Sequence, residues 1–202
     1  IESTKTECVN NILQTLRLHT TMKNNRFEGI FAPVTLNKNS ITINYPTSAI
    51  HKVSNISALS YESIYRVFDK IDENSSLAES KYKLNVLTRC FDVGLDPQSR
   101  FVDAVTLLEI MLCPKKEDPK GYTFSRFGKI ICNLTNLNYE LKQIKKIYNT
   151  RSEIVHSGHS KNFNDDQFTA CMKLMQEAVK YDLLNDGWLG KAERAIERIG
   201  CD

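Results

Sequence analysis

The stretch LKQIKKIYNTRSEIVHSGHS, from Leu141 to Ser160, decides how the rest of this chain reads. Its apolar residues Leu141, Ile144, Ile147, Tyr148, Ile154 and Val155 recur at helical spacing, and Ser157-Gly158 supplies a stop. Arg151 falls on the same stripe, three residues after Tyr148 and three before Ile154. A guanidinium keeps its charge at physiological pH, so a place among core-facing residues demands an ionic or hydrogen-bonded partner. His156 stands at the C-terminal end of the same helix, where the macrodipole favours an imidazolium. Together the two residue types cover what RNA cleavage without a metal requires. One is a proton-transfer group that works near neutral pH, the other a fixed positive charge for a phosphate on which negative charge builds. At about 100° per residue, their spacing places the two side chains well over a quarter-turn apart on a straight helix. Bringing both to one phosphate requires either a distortion before Gly158 or a second copy of the chain.

Outward from this segment, helical signals continue in both directions. Leu59, Tyr61, Ile64, Tyr65, Phe68 and Ile71 make one helix, ended by the polar run at residues 72–76. Leu77 to Phe91 makes a second, with Leu84, Val86 and Leu87 inward. Asp96-Pro97 reads as an N-cap with proline in the first turn, opening a third helix that reaches Met111 or Leu112 before Pro114. That helix is apolar on nearly every side, which marks it as central and buried. Phe124, Phe127, Ile130, Ile131, Leu134 and Leu137 define a fourth. The Arg151 helix is the fifth, starting near Asn138, and Asn164 caps a sixth through Phe168, Met172, Met175, Val179 and Leu183. A short amphipathic piece over 191–199 follows. The expectation is an all-α bundle over 57–202.

Residues 1–56 read differently. Ile12, Leu13 and Leu16 indicate a short helix. Val34 and Leu36, then Ile41, Ile43 and Tyr45, alternate with polar residues around a turn at Asn37-Lys38-Asn39, the pattern of a small β-hairpin. A lone hairpin is marginal in water, so this element must pack on something else.

Glu109 is out of place on the third helix. On a helical wheel it lies beside Val102 and Val105 rather than with Asp103 and Thr106, and a carboxylate there needs a partner. Arg151 is the other charge stranded on an apolar face, so the two are expected to pair. The alternative is that Glu109 reaches solvent at a groove.

Composition narrows the classes. A formal net charge of +3 does not by itself point to nucleic acid, so any RNA site must be a local basic patch. The six cysteines show no metal-ligand spacing and read as reduced thiols of a cytoplasmic protein. No apolar run approaches membrane-spanning length. There is no Gly-rich phosphate loop and no nucleophile elbow. The chain opens on Ile1 rather than Met, which reads as a piece of something longer.

RSEIVH within YNTRSEIVHSG resembles the R-x(4–6)-H motif of the HEPN superfamily. FVDAVTLLEIMLC, which carries Glu109, resembles the Glu-bearing helix of ApeA-like HEPN domains, and KGYTFSRFGKIICNL follows in that family's order. The resemblance spans roughly residues 59–184. Ser152 is a departure, since active members often have Asn, Asp or His after the arginine. The resemblance implies a helical-bundle endoribonuclease acting as a homodimer, its site composed from both protomers, with neither metal nor cofactor. It assigns His156 to proton transfer at the ribose 2′-OH or the leaving 5′-oxygen, Arg151 to the scissile phosphate, and Ser152 and Glu109 to orienting them. Lys142, Lys145 and Lys146 would track the backbone of a tRNA or mRNA substrate, the plainer alternative being a solvated polar face. His159 is a further candidate for RNA contact, or simply a surface residue. Members of this kind often form the C-terminal effector of antiphage or toxin proteins under an N-terminal sensor domain. A non-catalytic dimerisation or scaffold module that keeps the motif for structure is the competing expectation.

Overall fold

The computed structural model describes residues 66–71, 78–92, 94–113 and 120–185, together with four short strands and three isolated helical positions nearer the N-terminus. The expected helical stretches around Ile12 and over residues 59–65, and the piece over 191–199, lie outside the described residues. Two compact units divide between Ser80 and Lys81. In the first, β1 (Thr21–Lys23) pairs antiparallel with β2 (Arg26–Glu28), and β3 (Val34–Asn37) with β4 (Ser40–Ile43). Val34 faces Ile43 and Leu36 faces Ile41, which are the alternating apolar residues of the two runs. Residues 66–71 are helical and bury Val67 and Ile71, one turn apart.

Every described element after the strands is a helix: α1 (Ala78–Cys90), α2 (Pro97–Leu112), α3 (Lys120–Leu134), α4 (Leu141–Ser157) and α5 (Asp165–Leu184). Among the described residues no helix is long and apolar enough to cross a membrane. Local chemistry sets the boundaries. The Asp96 carboxylate accepts the backbone N–H groups of Gln98 (2.9 Å) and Ser99 (3.0 Å), and Pro97 occupies the first turn, where a missing N–H costs nothing. Asn164 does the same for α5 through the N–H of Gln167 at 2.9 Å. Gly158 closes α4 in the left-handed region at φ 76°, its N–H bonded to the carbonyl of Ile154.

Helix α2 is the central one, in contact with α3, α4 and α5. Phe101, Ala104, Val105, Leu107, Leu108 and Leu112 have no exposed surface, and a fully buried Leu or Phe contributes about 1.5–3 kcal/mol for leaving water. Arg100 is buried with them. Its Nε donates to the carbonyl of Cys90 at 3.1 Å and its guanidinium lies 5.1 Å from the centroid of the Phe168 ring, so the charge enters the core with partners.

Helices α3 and α4 run in opposite directions, because Gly121 abuts Tyr148 while Gly128 abuts Ile144. The approach at Gly128 is close: a Cβ there would stand 2.8 Å from Ile144 Cγ2. Two expected boundaries differ. Helix α3 stops at Leu134 rather than including Leu137, because Asn136 adopts φ 58° and the N–H of Leu137 returns to the carbonyl of Cys132 at 2.8 Å, a Schellman closure. Helix α4 starts at Leu141 rather than near Asn138, where the N–H of Glu140 is bonded to Gln143 Oε1 at 2.7 Å. Leu141 and Val155, expected on the buried stripe, are 52% and 51% exposed. The buried face of α4 is made by Ile144, Ile147, Thr150 and Ile154, and at about 100° per residue Leu141 and Val155 fall outside its centre.

Candidate active site

The charge stranded on the apolar face of α4 meets the one on α2. Arg151 Nη2 lies 3.2 Å from Glu109 Oε2, with the two side chains 25% and 14% exposed. The pair is screened from most of the solvent yet still reachable. One hydrogen-bonding group of the guanidinium remains unused, since Arg151 Nε is buried and has no acceptor among the described residues. A buried donor left without an acceptor costs about 1–3 kcal/mol. The neighbouring Thr150 hydroxyl is equally buried and equally without a partner among the described residues.

Tyr148 forms one wall beside this pair. Its ring tilts against Phe124 with centroids 5.3 Å apart, and Gly121 leaves the room for it. Burial raises the Tyr148 hydroxyl pKa above its ordinary value, the Glu109 carboxylate adds to that, and the Arg151 guanidinium opposes it. The phenol therefore stays a neutral donor beside two opposite charges. Ser152 is half-buried on the next position of α4.

His156 has different surroundings. It is exposed in the last turn of α4. The helix stays α-helical through Ser157, so the distortion that would swing Arg151 and His156 together within one chain does not occur. At roughly 100° per residue the two side chains diverge by roughly 140°. Among the described residues no hydrogen bond or ion pair joins them.

The loop beyond His156 is held by Glu153, a residue the sequence had not singled out for this. Its carboxylate accepts the Ser160 hydroxyl and, at 3.2 Å to each oxygen, the Asn162 amide. Ser160 Oγ in turn accepts the N–H of Asn162 at 3.0 Å. The hydrogen bonds from Ser160, then from Asn162, hold the Glu153 carboxyl below its ordinary value. Within the braced loop, His159 Nδ1 is 3.0 Å from the carbonyl of Ser157. A carbonyl only accepts, so Nδ1 is the donor in this contact. Lys145 and Lys146 are exposed on α4, as is Lys142, whose ammonium lies 2.9 Å from the Glu140 carboxylate.

The structure thus joins Arg151, Glu109 and Tyr148, gives Ser152 no hydrogen bond to them among the described residues, and keeps His156 and His159 apart at the helix tip. Among the described residues no three His, Cys, Asp or Glu side chains gather as a metal-holding set. Comparison of the chain with family models, with curated proteins and with solved structures finds no match.

Proposed function

We propose that this chain is an endoribonuclease of the HEPN type, cleaving RNA through its own 2′-OH and needing no metal. The observation that carries this reading is the half-open Arg151–Glu109 pair on the same helix as an exposed histidine at its C-terminus. A phosphate can approach the guanidinium from the solvent side while Glu109 keeps it oriented. His156 accepts the 2′-OH proton or supplies one to the departing 5′-oxygen. The 2′-oxygen attacks phosphorus, the bond to the 5′-oxygen breaks, and the products are a 2′,3′-cyclic phosphate and a 5′-OH. DNA lacks the nucleophile and is not cut. Because Arg151 and His156 diverge on one helix, the working site takes one residue from each protomer of a homodimer. In this scheme Ser152, the next residue of α4, orients the phosphate. In this reading the protein is the effector of a bacterial antiphage or toxin system, its substrate a cytoplasmic tRNA or mRNA and its trigger an N-terminal sensor.

The test is cleavage of total tRNA and of a structured mRNA in excess EDTA, comparing wild type with His156→Ala after circular dichroism shows both folded. Cyclic-phosphate ends from wild type alone are the expected result. Intact RNA with both proteins favours the second reading, a scaffold that keeps the motif for its ion pair. The engagement of Arg151 by Glu109 is the observation on that side.

A further inference from the structure

Charge is unevenly distributed along this chain. Helix α3 carries Lys120, Arg126 and Lys129 and no carboxylate. Helix α4 as far as Ser152 carries Lys142, Lys145, Lys146 and Arg151, again with no carboxylate. The whole chain has a formal charge of only +3, so the remainder is net negative and these two adjacent antiparallel helices hold the excess of positive charge. Two carboxylates from outside them reach in, Glu109 to Arg151 and Glu140 to Lys142. Lys145 and Lys146 are exposed among the rest, and a basic surface of this kind is the electrostatic footprint of a nucleic-acid backbone partner.

On this basic pair sits an aromatic ring that solvation does not explain. Tyr122 is 65% exposed, more than any other large hydrophobic side chain among the described residues. Its position on α3 is not a loose one. One turn on, Arg126 Nη1 donates to the Tyr122 hydroxyl at 3.2 Å while the guanidinium lies 5.9 Å from the ring centroid. The ring is held by a cation and turned to water. Gly121, the residue before it, packs on Tyr148, which stands one helical turn before Arg151. Tyr122 is therefore at the same end of the α3–α4 pair as the proposed phosphate-binding arginine.

We infer that Tyr122 and Arg126 form a stacking platform for an unpaired base of single-stranded RNA whose backbone is held by the exposed lysines of α4. A base in a duplex has no free face to offer, so the platform selects loops and single-stranded segments over helical stems. This inference rests on the ribonuclease reading for its choice of RNA as the ligand, and it names the form of RNA that the protein takes.

The test uses the full chain and non-cleavable 2′-O-methyl RNA, so that binding is read apart from cleavage. Affinity for a mixed-sequence single strand is compared with affinity for an abasic ribose-phosphate chain of equal length. Wild type and Tyr122→Phe should prefer the base-bearing strand by about tenfold, the scale of stacking on one aromatic side chain. Tyr122→Ala should bind both strands alike while keeping the wild-type salt dependence, since the phosphate contacts remain. Tyr122 is exposed, so this variant should melt as wild type does. The platform is overturned if Tyr122→Ala keeps the preference for bases, or if wild type fails to distinguish the strands. Failure of the ribonuclease reading shows separately, as RNA left intact by a wild-type protein that still prefers bases.

Discussion

On α4, the turn that carries Arg151 lies against Tyr148 and faces Glu109 of α2, whereas His156, in the last turn, is exposed to solvent. The first is held by an ion pair and by packing that any helical bundle would need. The second is anchored by the buried Ile154, and its Glu153 keeps the following loop in place from the solvent side. The contrast shows that a two-residue motif on one helix need not be one structural unit. Its arginine does structural work whether or not it meets a phosphate, while its histidine is exposed.

Removing each residue in turn tests this division, and the largest effect is expected at the arginine. Arg151→Ala leaves the Glu109 carboxylate in a mostly buried place without its cation. A partly exposed pair loses less than a fully buried one, so about 2–3 kcal/mol of stability is expected to go. His156→Ala should change stability by under about 0.5 kcal/mol, as surface substitutions do. Urea denaturation of both variants reads the difference, and equal losses would mean that the two turns are not distinct after all.

A smaller effect is expected at the α3–α4 contact that places Tyr148 beside the pair. Gly128→Ala gains about 1 kcal/mol of helix propensity but drives a methyl to 2.8 Å from the β-branched Ile144. The clash outweighs the gain, and a net loss of about 1 kcal/mol is expected, with a matching fall in the melting midpoint. A more stable Gly128→Ala variant would show that the helices separate easily and that the site's wall is soft.

The smallest effect belongs to the His156 side. Glu153 has a depressed folded-state pKa, so its contribution is fully present above the ordinary glutamate value and is lost as pH falls through the folded one. In acid, the protection of the Asn162 amide relative to its intrinsic exchange rate at the same pH should fall in wild type. Glu153→Gln should show the reduced protection at every pH, without a change in global melting. Identical exchange in the two proteins would detach the loop from Glu153.

Much of this architecture is legible from short-range chemistry. Asp96-Pro97, Asn164 and Gly158 end or begin helices through bonds to residues within four positions, and the structure places those boundaries where the sequence indicates. Glu109 and Arg151 announce their pairing because each is a charge on an apolar face, which admits few solutions. Asn136 was harder to read, since a left-handed Asn is optional where a left-handed Gly is favoured, and Leu137 continues the apolar spacing past the true end of α3. The exposure of Leu141 and Val155 was not legible at all. Both satisfy the helical period of α4, but the packed helix is rotated so that Thr150 is buried with Ile144, Ile147 and Ile154 while these two are left at the margin.

The sequence by itself therefore determined the helical character of the second unit, its caps and the need for a charge pair, because periodicity, capping and the cost of burying a charge act within one helix or on one residue. The tertiary structure alone decided which cation stays in solvent, which aromatic ring is left outside and which carboxylate holds the loop. Those outcomes depend on the relative lengths and offset of helices packed side by side, and on how a chain segment folds back onto a helix it has already left.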